Sequence, residues 1–237
     1  MNFTVGMTGI ESLLSLIGNG NSIVRCELPL IADGYVENYT TICEDDLKSP
    51  KTPTVVKEIL TELISQRING VTCDLGCGDG YIIRNIKNLP YKIAVDIALP
   101  YLESLPNDIL KIHSAVESVP LGSHTIDSII CTDVLEHVLR PNDLALEIDR
   151  LLAWGGDLFL AFPYKQDLSV YDSPEYKAQC KQYKYVHLRS IDDALIDRLF
   201  PNYYIWHSEV ITEGMDEMKF KPYPIKFVHM ARKSNAR

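Results

Sequence analysis

Residues 71–80 of this chain read Val-Thr-Cys-Asp-Leu-Gly-Cys-Gly-Asp-Gly. An apolar strand-like run leads straight into glycines at 76, 78 and 80, and the segment 80–88 that follows reads as a helix. A strand that turns on glycine and opens a helix lets backbone approach a ligand closely and leaves helix N-terminal N–H groups free to bind it. The spacing is G-x-G-x-G, not the dinucleotide-binding G-x-G-x-x-G, which speaks against a nicotinamide-dependent oxidoreductase. Asp74 adds a carboxylate at the strand end, where it would repel a pyrophosphate but pair with an ammonium group. Such a loop suits a nucleoside that carries an amino acid. A second acid, Asp96, follows 22 residues later at the end of Ala94-Val95-Asp96, where doubly wound folds place the carboxylate that accepts ribose hydroxyl protons. The plainer reading is a tight turn and a helix cap.

Outward from this loop the chain alternates. Short apolar runs at 71–75, 92–97, 109–113, 126–131 and 157–162 suit strands buried on both faces, with helices at 80–88 and 141–153 between them. That pattern predicts a doubly wound, mostly parallel α/β sheet. Before it, Val55, Val56, Ile59, Leu60, Leu63 and Ile64 recur at helical spacing between Thr54 and Asn69, with Thr52 as a cap and Pro53 in the first turn. After it come a helix at 191–199 and two strand-like runs, Tyr203–Ile211 and 225–231, that form a closing hairpin. Residues 1–50 carry the least pattern and an acidic turn at Glu44, Asp45 and Asp46; they read as an N-terminal arm or cap on a domain spanning 51–237.

The chain has 237 residues with 32 acidic and 23 basic side chains, a net charge of −9 that repels phosphate backbones and argues against nucleic-acid partners. The apolar stretch from Ile10 to Ile17 is short and interrupted, so no signal peptide or membrane span is read and the expected location is the cytoplasm. Six cysteines stand far apart without a C-x-x-C pair, which argues against a zinc clip or a disulfide framework. Homo-oligomerisation is left open.

Taken in order, D-L-G-C-G-D-G, A-V-D at 94–96, S-A-V-E-S-V-P-L at 114–121, T-I-D-S-I-I-C-T-D-V-L-E-H-V at 125–138, L-E-I-D-R-L-L-A-W-G-G-D-L-F-L-A-F-P at 146–163 and H-L-R-S at 187–190 resemble the class I S-adenosylmethionine-dependent methyltransferases. The likeness is to the small-molecule branch that includes the ubiquinone and menaquinone enzymes. It implies a Rossmann-like, seven-stranded sheet with an antiparallel closing hairpin and S-adenosylmethionine as cofactor. It also implies that Asp74, Gly76, Cys77 and Gly78 hold the methionine part, Asp96 and Ile97 the ribose, and Ala115 and Val116 the adenine, with Asp133 beside the methyl group. Trp154 stands where the family usually has proline, and T-I-D replaces the common S-F-D.

Methyl transfer from a sulfonium is an in-line displacement that needs positioning and desolvation more than a base. His137, in L-E-H, is the candidate base for a hydroxyl acceptor; the alternative is a residue that caps or packs the following helix. Asp133, Glu136 and His137 together form a second option, a divalent-metal site, which is not favoured over a solvated helix start. The segment 164–190 is expected to cover the substrate. Its tyrosines, lysines and arginine suit an anionic or aromatic small molecule, with Tyr164, His187 and Arg189 as the contacts, and a surface helix is the competing reading. C-T-D-V stands where amino-methylating relatives carry D/N-P-P-Y/F, which disfavours nucleic-acid and protein acceptors. The expected activity is therefore methylation of a small molecule, with oxygen as the acceptor atom ahead of nitrogen and carbon. A non-catalytic cofactor-binding scaffold is the reading from a different class.

Overall fold

A strand with both faces buried needs a neighbour on each edge, and residues 71–75 have them. The computed structural model describes residues 23–28, 34–48, 54–180, 186–215 and 222–233. In chain order the elements are β1 (Ile23–Arg25), α1 (Tyr35–Lys48), α2 (Thr54–Ser65), β2 (Val71–Leu75), α3 (Tyr81–Asn85), β3 (Tyr91–Asp96), α4 (Leu99–Ser104), β4 (Ile109–His113), β5 (Ile126–Thr132), α5 (Pro141–Leu151), β6 (Leu152–Pro163), a 3₁₀ turn at Leu168–Asp172, α6 (Pro174–Cys180), α7 (Asp193–Leu199), β7 (Tyr203–Ile211) and β8 (Ile225–Arg232). β2 pairs in parallel with β3 on one side and β5 on the other, so consecutive strands step away from it in opposite directions. This reversal opens a crevice at the carboxyl ends of the strands, where open α/β sheets bind ligands.

The sheet has eight strands in the order β1-β4-β3-β2-β5-β6-β8-β7. One more strand is present than expected. Ile23–Arg25, inside the stretch read as an arm, adds to β4 in parallel. The closing hairpin is antiparallel, and β8 lies between β6 and β7. Two apolar layers cover the faces. One joins Leu110, Ile129 and Leu160 to Leu144, Ile148 and Leu151 of α5. The other joins Ala94, Ile130 and Phe159 to Val56, Leu60 and Ile64 of α2.

The acidic run Glu44-Asp45-Asp46 is not a turn but the last part of α1, a helix of 14 residues. The helix expected at 54–69 ends at Ser65, and its expected cap, Thr52 with Pro53, lies outside the described residues, as do Lys181, Tyr183, Lys184 and Tyr185 of the 164–190 segment. At Trp154, where the family usually has proline, the Arg232 guanidinium stacks 3.7 Å from the ring centroid while bonding the Asp149 carboxylate at 2.8 Å. Among the described residues, no helix is long and apolar enough to cross a membrane.

Candidate active site

The carboxyl ends of β2, β3 and β5 open into a cavity of about 270 Å³. Asp74, Gly76, Cys77, Gly78, Asp96, Ile97, Ala115, Val116, Asp133 and His137 all line it. The glycine loop is fastened to the neighbouring strand: the N–H groups of Gly76 and Cys77 both donate to the Val95 carbonyl, at 2.8 and 3.1 Å. Gly76 has φ +72°, and a Cβ there would lie 2.5 Å from Val134, so only glycine fits. Gly78 also has positive φ, +52°, but nothing lies within 4 Å of where its Cβ would stand. A side chain at 78 would therefore enter the cavity.

Asp96 is 7% exposed and accepts two backbone N–H bonds, from Gly78 at 2.9 Å and Ala98 at 2.8 Å. Desolvation outweighs these bonds and pushes its carboxyl up to about 6. Asp74 is more deeply placed, and burial, reinforced by the charges of Asp96 and Asp79, pushes it up to about 8. Two buried acids at one end of a cavity make a pole that a cation neutralises.

The wall formed by Ala115 and Val116 is held from behind. Glu147 of α5 accepts the Val119 N–H at 2.6 Å and pairs with Arg150, whose guanidinium also donates to the carbonyls of Leu121 and Val119. This knot explains why L-E-I-D-R and E-S-V-P-L occur together: one clamps the backbone of the other.

Sequence reasoning missed the roof. Tyr35, Tyr39, Ile42 and Asp46, all on α1, line the same cavity as the glycine loop. The Tyr35 hydroxyl donates to the His137 carbonyl at 3.2 Å, and the Tyr101 hydroxyl donates to Asp46 at 2.9 Å, fixing α1 at two points. The spacing of these four residues is helical, but the three consecutive acids at 44–46 give the same stretch the composition of a turn. Lys57 and Asp79, paired at 2.8 Å, complete the rim.

His137 is half-buried, and desolvation, aided by the Arg189 charge, pushes its imidazole down to about 4, so it is neutral near pH 7. Its Nδ1 lies 3.3 Å from the Val186 carbonyl, a contact that requires the proton on Nδ1 and leaves the lone pair on Nε2. The three residues expected to touch the acceptor do not line the cavity. Tyr164 donates its hydroxyl to Asp193 at 2.7 Å at the surface, under the Lys226 ammonium. Arg189 donates to the carbonyls of Leu135 and Leu139, at 2.5 and 3.3 Å, and so braces the loop that carries His137. His187 packs edge-on against His137, with ring centroids 4.8 Å apart.

Residues 73–160 match the family model described as a methyltransferase domain. Three solved structures share the fold. The (4+2)-cyclase SpnF superposes with a TM-score of 0.62 at 12% identity, over 85% of this chain and 95% of its own. An S-adenosylmethionine-dependent methyltransferase from Thermotoga maritima, described as a possible histamine N-methyltransferase, gives 0.59 at 15% identity over 84% and 100%. An S-adenosylmethionine-dependent methyltransferase from Mesorhizobium loti gives 0.52 at 17% over 68% and 90%. The search of curated proteins found no match. The methyltransferase-domain match over residues 73–160 and the shared fold together support an S-adenosylmethionine-dependent methyltransferase of class I, with S-adenosylmethionine as the cofactor that domain implies. The cavity suits that cofactor. It presents a buried carboxylate for an ammonium, open space at Gly78, a second carboxylate for hydroxyls, and an apolar wall at Ala115 and Val116.

Proposed function

We propose that the chain methylates a hydroxyl group on a small molecule. The observation that carries this reading is the roof: Tyr35, Tyr39 and Ile42 of α1 stand over the same cavity that Asp74, Gly78 and Asp96 floor. A polymer strand would have to displace that helix, whereas a small acceptor fits beside it. In this reading Asp74 holds the cofactor's ammonium, Asp96 its ribose hydroxyls, and Ala115 and Val116 its adenine, with Asp133 near the reacting end. The cofactor supplies an electrophilic methyl group on a sulfonium. Aromatic rings at Tyr35 and Tyr39 and the apolar side of Val134 and Val138 keep water from that end and orient the acceptor.

The neutral imidazole of His137 supports positioning over general-base catalysis. A base whose conjugate acid lies near 4 takes an alcohol proton poorly, so the acceptor is better matched as an acidic hydroxyl, phenolic or enolic. The segment 164–190 remains the proposed cover on the acceptor side, acting through backbone placement and the ring of His187 more than through Tyr164 or Arg189.

Incubation with methyl-labelled S-adenosylmethionine and a panel of phenols, aliphatic alcohols and amines tests this. Label should appear on phenolic oxygen first. Label on amines alone would overturn the acceptor assignment, and tight cofactor binding with no transfer to any class would favour the scaffold reading.

A further inference from the structure

Behind the wall that His137 forms lies a carboxylate with no partner. Glu136 is 0% exposed, and neither of its side-chain oxygens receives a hydrogen bond. An ionised carboxylate left in that state costs several kcal/mol, so burial and the nearby charge of Asp133 push Glu136 toward its protonated form unless a cation takes the proton's place. Arg189, the cation whose charge acts on it, directs its donors to the carbonyls of Leu135 and Leu139 instead.

Two imidazoles complete the surroundings. One ligand-type atom from each of Glu136, His137 and His187 lies within 4.8 Å of those from the other two. The far side of each ring is already engaged. His137 Nδ1 meets the Val186 carbonyl at 3.3 Å, and His187 Nδ1 meets the Gln166 side-chain oxygen at 2.5 Å. Both contacts put the proton on Nδ1, leaving Nε2 of each ring to offer a lone pair. Metal-binding histidines are held in this way, by an outer carbonyl that fixes tautomer and ring orientation. Gln166 is itself buried, 6% exposed, and its amide nitrogen donates to the Tyr171 hydroxyl, so its oxygen is turned toward His187.

We propose that Glu136, His137 and His187 bind one divalent first-row transition cation at the inner wall of the cofactor cavity. The donor set, two neutral imidazoles and one carboxylate, suits zinc, manganese or iron better than calcium or magnesium, which favour oxygen ligands throughout. His137 belongs both to this cluster and to the cavity lining, so the ion sits next to the acceptor space. There it would serve as a Lewis acid that holds the acceptor oxygen and makes its hydroxyl more acidic. That role rests on the hydroxyl reading given above, while the ion site itself does not.

The test uses the full chain, stripped with a chelator and dialysed, and titrated with Zn²⁺ or Mn²⁺ alone by calorimetry, without cofactor or acceptor. Co²⁺ is added separately and its visible absorption recorded. One ion per chain is expected, with a d–d spectrum of protein-bound cobalt. Glu136→Gln and His187→Ala should each weaken binding at least 100-fold, and Gln166→Ala by about 10–100-fold through loss of ring orientation. Circular dichroism checks that each variant is folded, and His207→Ala, remote from the cluster, serves as the control. Absence of binding by the parent chain, or equal binding by folded Glu136→Gln and His187→Ala, overturns the proposal. Ion binding without methyl transfer would instead count only against the acceptor reading.

Discussion

The buried carboxylate of Asp96 accepts the backbone N–H of Gly78 at 2.9 Å, so a single side chain ties the end of β3 to the loop that follows β2. The residue expected to hold the ribose is thus also the one that sets the shape of the glycine loop. Replacing it removes a ligand contact and loosens the loop together. Asp96→Ala should weaken S-adenosylmethionine binding by about 1.5–3 kcal/mol and lower the melting temperature as well. Calorimetry and thermal denaturation of the same variant check both. A loss of affinity with unchanged stability would mean that the loop keeps its shape without the tether.

Gly78 separates ligand space from folding space. Valine there meets no protein atom within 4 Å of its Cβ, though φ of +52° imposes a backbone cost of about 1–3 kcal/mol. The variant should fold with a modestly lower melting temperature and lose cofactor binding by more than about 100-fold. Gly76→Ala should do the reverse. Its Cβ would collide with Val134, so stability suffers first.

Asp74 gives the free protein a pH signature. Its folded-state pKa of about 8 lies above the unfolded value of about 3.9, so the folded chain holds this proton more tightly. The contribution to stability is whole below about pH 4 and is lost as the pH rises through about 8. Between about pH 6.5 and 8.5 the melting temperature of the cofactor-free chain should therefore fall, more steeply than that of Asp74→Asn. Parallel pH profiles for the two would remove Asp74 from this role.

Arg189 and Tyr164 should behave differently although both were expected to touch the acceptor. Arg189→Ala strips two carbonyls of a charged donor and frees the loop from Leu135 to Leu139, so stability should drop by about 1.5–3 kcal/mol, with lysine a poor substitute for the forked guanidinium. Cofactor affinity and the acceptor's KM should both worsen. Tyr164→Phe removes one surface hydrogen bond to Asp193 and should leave both within about twofold. A selective rise in the acceptor's KM for either variant would restore it to the substrate side.

What the sequence made legible was the part governed by two-sided burial. β2 and β4 fall on the expected residues because a strand buried among neighbours carries apolar side chains on both faces, whereas β7, mostly exposed, was legible from its β-branched and aromatic residues. That Asp74, Gly76, Gly78 and Asp96 would share one cavity was legible because glycine conformations and strand-end acids are local properties. α1 was missed for the opposite reason: it is amphipathic around one ligand-facing stripe, and its acidic end imitates a loop. α4 was missed because Pro100 looks like a breaker, although it stands in the first turn where proline is tolerated. Arg189 and Tyr164 lie outside the cavity lining because position along the chain says where a segment passes and nothing about which way a side chain turns.

The placement of β8 between β6 and β7 makes the attachment of β7 to the sheet depend on β8. β7 precedes β8 in the chain, yet its hydrogen-bonded partner in the sheet is β8, itself docked on β6 with Asp157 opposite Ala231. Until residues 225–232 are seated, β7 has no ladder to join, and Tyr204, Ile205 and Trp206, exposed even in the finished fold, are held by little else. Whenever residues 225–232 leave their place on β6, the ribbon of Tyr204, Ile205 and Trp206 is loose at the sheet margin, where a second molecule's open strand is its readiest partner. Dilution and low temperature should accordingly raise refolding yield more than any change that strengthens the cofactor site, because the vulnerable step lies at the far end of the sheet from the chemistry.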